Sequence, residues 1–124
     1  MTNLSGRWTG SYAYPGSLSP VPFEAEVRDD GGKISGLTSE SGVENVPQHA
    51  SFAGQHDDHD IAFTKIYDSH DEWFEPIDYR GAIDADGCEI SGTWSMTNDW
   101  SGPFVMVRPK PKRAEIEAEV AAKV

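Results

Sequence analysis

A chain of 124 residues holds one domain of ordinary size, and a net charge of −11, from 21 acidic and 10 basic residues, argues against nucleic acid as a partner because phosphate would be repelled. Leu, Ile, Val and Phe number only 23, but four Trp, four Tyr and five Phe, each able to bury about 150–250 Å², place the chain among folded proteins. Three Leu among abundant Gly, Ser, Thr and aromatic residues disfavour a helical bundle and point to an all-β domain.

Period-two alternation broken by turn dipeptides recurs about every ten residues and predicts eight short antiparallel strands. The first is Arg7 to Tyr14, with Trp8, Gly10, Tyr12 and Tyr14 on one face, closed by Pro15-Gly16. The second, Pro22 to Arg28, turns Phe23, Ala25 and Val27 inward and Glu24, Glu26 and Arg28 to solvent. Asp29-Asp30-Gly31-Gly32 is a hairpin signal, since Asp and Gly tolerate the positive φ of such turns, and it leads to strand three, Lys33 to Ser39. Residues 40–48 read as a loop, and Ala50 to His56 forms a fourth strand around Phe52. The polar turn 56–60 precedes Ile61 to Tyr67, where Ile61, Phe63, Lys65 and Tyr67 share a face. After a connection over 68–75, strand six runs from Ile77 to Ile83 with Tyr79 and Gly81 on its apolar face. Asp84-Ala85-Asp86-Gly87 turns the chain into strand seven, Cys88 to Met96, whose Ile90, Gly92 and Trp94 alternate with polar residues. Strand eight is Gly102 to Arg108.

The charge then changes sign: residues 1–107 hold 18 acids and five bases, whereas 108–113 (RPKPKR) holds four bases and no acid. The domain is accordingly placed at 1–108, with 109–124 a basic, Pro-rich linker and a short tail that is helical if it docks and disordered if it does not. Ile116 and Val120 in that tail, or aromatic surface, are where a homodimer would form, because the acidic faces repel one another. Cys88 has no partner for an internal disulfide, and MTNLSGRW lacks a basic-then-apolar run, so a cytoplasmic location is expected. No stretch approaches the roughly 18 apolar residues of a spanning helix, so no membrane partner is expected.

Sequential hairpins favour an up-and-down barrel over a sandwich, since closure removes exposed edges. Glycines within the strands (Gly10, Gly36, Gly54, Gly81, Gly92) suit the bending of a small barrel and are expected to leave interior room. Gly6-Arg7-Trp8 at the first strand resembles the G-x-W signature of the calycins, the superfamily of lipocalins, fatty-acid-binding proteins and avidins. The resemblance implies that Arg108, ending strand eight, packs across Trp8 and closes one end of the barrel. Leu4-Ser5-Gly6-Arg7-Trp8-Thr9 is most similar to the avidin branch, and the likeness covers residues 4 to 108 as architecture. Avidins place an Asn two residues after that Trp to hold the ureido oxygen of biotin; here Gly10 stands there, followed by Ser11, so biotin is not implied. Gly6-x-Trp8-x-Gly10 and Tyr14-Pro15 are also similar to the opening of nitrobindin-type haem barrels, whose iron ligand is a late His; no His follows His70, and no cofactor is expected.

Trp8 and Arg108 are read as structural, a guanidinium stacked on an indole to plug the barrel floor. Tyr12, Tyr14, Tyr67, Tyr79 and Trp94 are lumen candidates, each offering apolar surface with a polar tip, and each equally readable as core filling. Lys65 points inward if Phe63 and Tyr67 do, and an inward ammonium needs a partner or an anionic ligand; the opposite phasing, with Ala62, Thr64 and Ile66 inward, is the plainer alternative. His56 and His59 among Asp57, Asp58 and Asp60 match no metal spacing and are read as a turn, so no metal site is expected. No nucleophile elbow, P-loop or zincin helix occurs, Cys88 reads as a small core residue, and no catalytic residue is assigned. These residues together suggest a non-enzymatic barrel for a small, anionic or carbonyl-bearing organic ligand. An interaction module with a filled barrel, and a lumen-based isomerase or cyclase using a Tyr as proton donor, are the alternatives.

Overall fold

The computed structural model describes residues 2–16, 19–41, 47–68, 75–97 and 100–109. They form eight strands: β1 (Gly6–Tyr12), β2 (Val21–Asp30), β3 (Lys33–Ser41), β4 (Pro47–His56), β5 (Asp60–Tyr67), β6 (Ile77–Ile83), β7 (Glu89–Ser95) and β8 (Ser101–Val107). Each pairs antiparallel with its neighbour in sequence, and β1 pairs with β8 from Thr9 opposite Val107 to Tyr12 opposite Phe104. The result is a closed, up-and-down, eight-stranded barrel, and among the described residues no strand edge is left unpaired. The expected helical or disordered tail falls on 110–124, outside the described residues.

The turn chemistry acts where it was expected. Gly31 and Gly32 join β2 to β3 with φ of 62° and 99°, which suits a two-residue hairpin and costs a residue without a Cβ little. Asp57 Oδ1 accepts from the amides of His59 (2.8 Å) and Asp60 (2.7 Å) and so organises the β4–β5 turn. Asp84 Oδ1 does the same for Cys88 (2.9 Å) and Glu89 (3.1 Å) ahead of β7.

Inner faces follow the alternation, so the core is a ladder of rings. Phe63 stacks on Tyr79 with centroids 4.8 Å apart and planes 7° from parallel, and Phe104 meets Tyr79 edge-on at 4.9 Å. The strand glycines do not leave the lumen open, contrary to expectation. A Cβ at Gly10 would lie 2.5 Å from Phe23 Cζ, and one at Gly36 would lie 2.6 Å from Phe52 Cζ. The ring from the neighbouring strand takes the space that the missing side chain vacates, as interior packing density demands.

Several strand limits also differ from the sequence reading. The first strand ends at Tyr12, so Tyr14 lies beyond the sheet, 40% exposed at the barrel rim. Residues 40 and 41 belong to β3 and 47–49 to β4, where a loop over 40–48 was expected; 42–46 lie outside the described residues. Cys88 and Met96 flank β7, and Cys88 is a buried free thiol.

Candidate functional site

The barrel has two different ends. One carries the start of β1, the tight hairpins after β2, β4 and β6, and the end of β8. Trp8 is fully buried there, its Nε1 donating to Leu4 O at 2.9 Å, and the Arg108 guanidinium lies 4.8 Å from the indole centroid. Arg108 also donates to Gly87 O (3.0 Å), Ser5 O (3.1 Å) and Asn3 O (2.9 Å), so a planar five-donor group ties the N-terminal segment to the β6–β7 turn. Next to it Asp29 takes the Leu4 amide (2.8 Å) and His56 Nε2 (2.5 Å) on Oδ2, and the Gly32 amide (3.0 Å) on Oδ1. Burial works against this carboxylate, but those donors outweigh it and hold Asp29 below its ordinary range. These contacts tie the N-terminal segment, the β2–β3 hairpin, the β6–β7 turn and the end of β8 together at this end of the barrel. His56 serves it as a partner of Asp29, and among the described residues no three His, Cys, Asp or Glu side chains converge on a metal position.

Chemistry concentrates towards the opposite end. Lys65 on β5 faces inward and is 2% exposed, which settles the phasing that the strand's pattern left open. Beside it stands Glu40 of β3, buried to the same degree at its side chain, with Oε1 3.8 Å from Lys65 Nζ. The Tyr12 hydroxyl donates to Glu40 Oε2 at 2.5 Å and the Tyr67 hydroxyl to Oε1. Four rings enclose the ammonium, with centroids 4.9 Å (Tyr12), 5.8 Å (Phe23), 4.7 Å (Tyr67) and 5.2 Å (Tyr79) from Nζ.

Burial pushes Lys65 down to about 8, a shift that Glu40 only partly opposes. The phenols move the other way. Burial, and then the Glu40 carboxylate, raise Tyr12 and Tyr67; burial, and then the neighbouring Tyr67 and Glu40, raise Tyr79. Around neutrality the cluster therefore offers protonated phenols and an amine close to its titration point.

The structure brings Tyr12, Lys65, Tyr67 and Tyr79 together, and Tyr14 and Trp94 adjoin them through Tyr12, whose ring they meet edge-on at 5.7 and 6.4 Å. Trp94 is buried, donates to Ala13 O at 3.0 Å, and meets Tyr14 and the half-exposed Trp100 edge-on at 5.9 and 6.1 Å. No protein-family model matches this chain, and no curated protein matches it. The closed eight-stranded barrel with its Trp8–Arg108 floor is consistent with a calycin-like fold.

Two members of the polar interior escaped the sequence reading. Glu40 sits among Ser39, Ser41 and Gly42, with no apolar neighbour to mark its face, and only counting Ile34, Gly36, Thr38, Glu40 along β3 would have turned it inward. Thr38, 5% exposed, carries a buried hydroxyl with no hydrogen-bond partner, between Ala25 of β2 and Ala50 of β4 in the sheet register. A groove of about 460 Å³ runs along the wall past Glu40, lined by Thr9, Pro22, Glu24, Ser39 and His49, and Lys65 does not line it.

Proposed function

We propose that this barrel binds a small organic ligand at its Lys65 end without performing catalysis. The observation that carries the reading is the buried Lys65–Glu40 pair with the Tyr12 and Tyr67 hydroxyls, set apart from the Trp8–Arg108 end. A buried ion pair is often less stabilising than well-packed apolar residues of the same volume, so a polar cluster of this size in a 124-residue barrel is better explained by recognition than by stability. The Thr38 hydroxyl adds a donor and acceptor with no protein partner, next to two alanines that take little room. A carboxylate or carbonyl oxygen suits Lys65, and the surrounding rings suit an apolar body.

A second reading has its own support. The rings lying over Gly10 and Gly36 favour an interaction module with a filled barrel. A thermal-shift screen of small carboxylic acids and aldehydes on the wild type and Lys65→Met separates the two, because a ligand that binds only the folded state at a hundred times its Kd adds about 2.7 kcal/mol. Binding at this site raises the melting temperature of the wild type and not of the variant. If no compound shifts either protein, the filled module is the better account.

A further inference from the structure

We infer that the site captures small aldehydes or ketones covalently, as an imine on Lys65 Nζ, an inference that rests on the binding site proposed above. Of the described bases, Arg7, Arg28, Lys33 and Arg80 are exposed and Arg108 plugs the floor, whereas Lys65 alone lies among inward-facing rings. Its carboxylate partner is shared: each oxygen of Glu40 already accepts a phenol hydroxyl, and Nζ stands 3.8 Å away, beyond hydrogen-bond length. Glu40 thus stands beside the ammonium without a direct hydrogen bond to it, and a small approach of the two side chains brings Nζ within reach for proton transfer.

The consequence for reactivity is large. With Lys65 lowered to about 8, its neutral fraction at pH 7 is roughly two-hundred-fold that of an ordinary lysine near 10.4. A lysine desolvated in an apolar pocket is a recognised route to an activated nitrogen nucleophile. The Nζ lone pair forms a bond to the carbonyl carbon, and the carbonyl π pair moves to oxygen. The first nitrogen proton passes by way of Glu40 to the oxygen, producing a neutral carbinolamine. The second nitrogen proton then passes the same way to the hydroxyl, which leaves as water while the nitrogen lone pair completes the C=N bond. One aldehyde and one amine give one imine and one water, and no oxidant or reductant is needed. The Thr38 hydroxyl lies one inward position along β3 from Glu40 and is the donor without a protein partner that can meet the developing oxygen. The Tyr12 and Tyr67 phenols, raised by burial, stay protonated and keep their bonds to Glu40.

The test uses the full chain with benzaldehyde and sodium cyanoborohydride at pH 7.5, which reduces any imine to a stable secondary amine, followed by peptide mapping. Lys65 should be modified at least tenfold faster than Lys33, the exposed lysine at the start of β3. Its rate should level off above pH 8 while the Lys33 rate keeps rising. Labelling of Lys65 at or below the Lys33 rate overturns the inference, and because it is read on the wild-type protein, folding of a variant is not at issue. Melting temperature without reductant distinguishes the two claims. If benzaldehyde stabilises the protein and leaves Lys65 unlabelled, imine capture is wrong and the binding site stands; if it neither stabilises nor labels, the capture proposal fails together with the support that aldehydes lend to the site.

Discussion

Replacing Lys65 by Met should remove a rise in stability between pH 8 and 10.5. In the unfolded chain the amine titrates near 10.4, and in the barrel burial brings it to about 8. Between those values the unfolded state carries a proton that the folded state has shed, so the unfolded state binds more protons and stability climbs with pH. The contribution is complete above about 10.4 and is lost as the pH falls through 8. At about 1.36 kcal/mol per unit, a depression of roughly 2.4 units amounts to about 3 kcal/mol. Tyr12, Tyr67 and Tyr79 contribute in the opposite sense, because their raised folded values give stability that is present below about pH 10 and lost above it. They remain in both proteins and cancel in the difference. Urea unfolding followed by tryptophan fluorescence at constant ionic strength, at pH 7.5, 9 and 10.5, reads that difference. With a urea slope of about 1–1.5 kcal/mol per M, the gap between wild-type and variant midpoints should change by about 2 M. A gap that is constant to within about 0.5 kcal/mol would refute the claim that Lys65 is held desolvated in the barrel.

Trp8→Ala should cost about 3–5 kcal/mol in thermal or urea unfolding, since the indole is fully buried, bonded to Leu4 O and covered by Arg108; a cost under about 1 kcal/mol contradicts its structural role. Asp29, held below its ordinary range by the Leu4 and Gly32 amides and His56, supplies stability that is present above about pH 3.9 and lost as the pH falls through its lower folded value. Asp29→Asn should therefore flatten the acid limb of a stability-against-pH curve, and an unchanged limb counts against the pairing. Gly92→Ala should destabilise by about 1–3 kcal/mol, because its Cβ would stand 2.0 Å from Arg80 O and 2.5 Å from Gly81 Cα in β6; a neutral substitution would show that β6 and β7 can separate without strain.

Much of the barrel was legible because its cues are local. The glycine and aspartate turns name the hairpins, period-two alternation assigns inner and outer faces, and one Trp near the start with one Arg near the end of β8 marks the floor. The site was legible only in part. Along β5 the inward phasing carries Phe63 with a lysine, and the outward phasing carries Ile66, which proves 53% exposed, so hydrophobicity alone did not separate them. Glu40 read as solvent because a carboxylate beside serines usually is, and its burial depends on Tyr12 and Tyr67, 28 and 27 residues away, arriving from β1 and β5. Tyr14 lies past the strand end at Tyr12, where alternation no longer sets a side chain's direction, and its ring nevertheless meets that of Tyr12 edge-on. Interior room could not be read from glycines, because whether a ring fills the gap is decided by the neighbouring strand. Phe23 and Phe52 fill it here.

The most direct measurement of the central claim is a crystal structure of the protein with whichever screened acid or aldehyde stabilises it most. The account predicts that compound inside the Lys65 end of the barrel, with an oxygen or imine carbon at Lys65 Nζ and a polar atom within hydrogen-bond reach of Thr38 Oγ1. A compound seated in the outer groove beside Glu24 and His49, with Lys65 still packed among Tyr12, Phe23, Tyr67 and Tyr79, would contradict it.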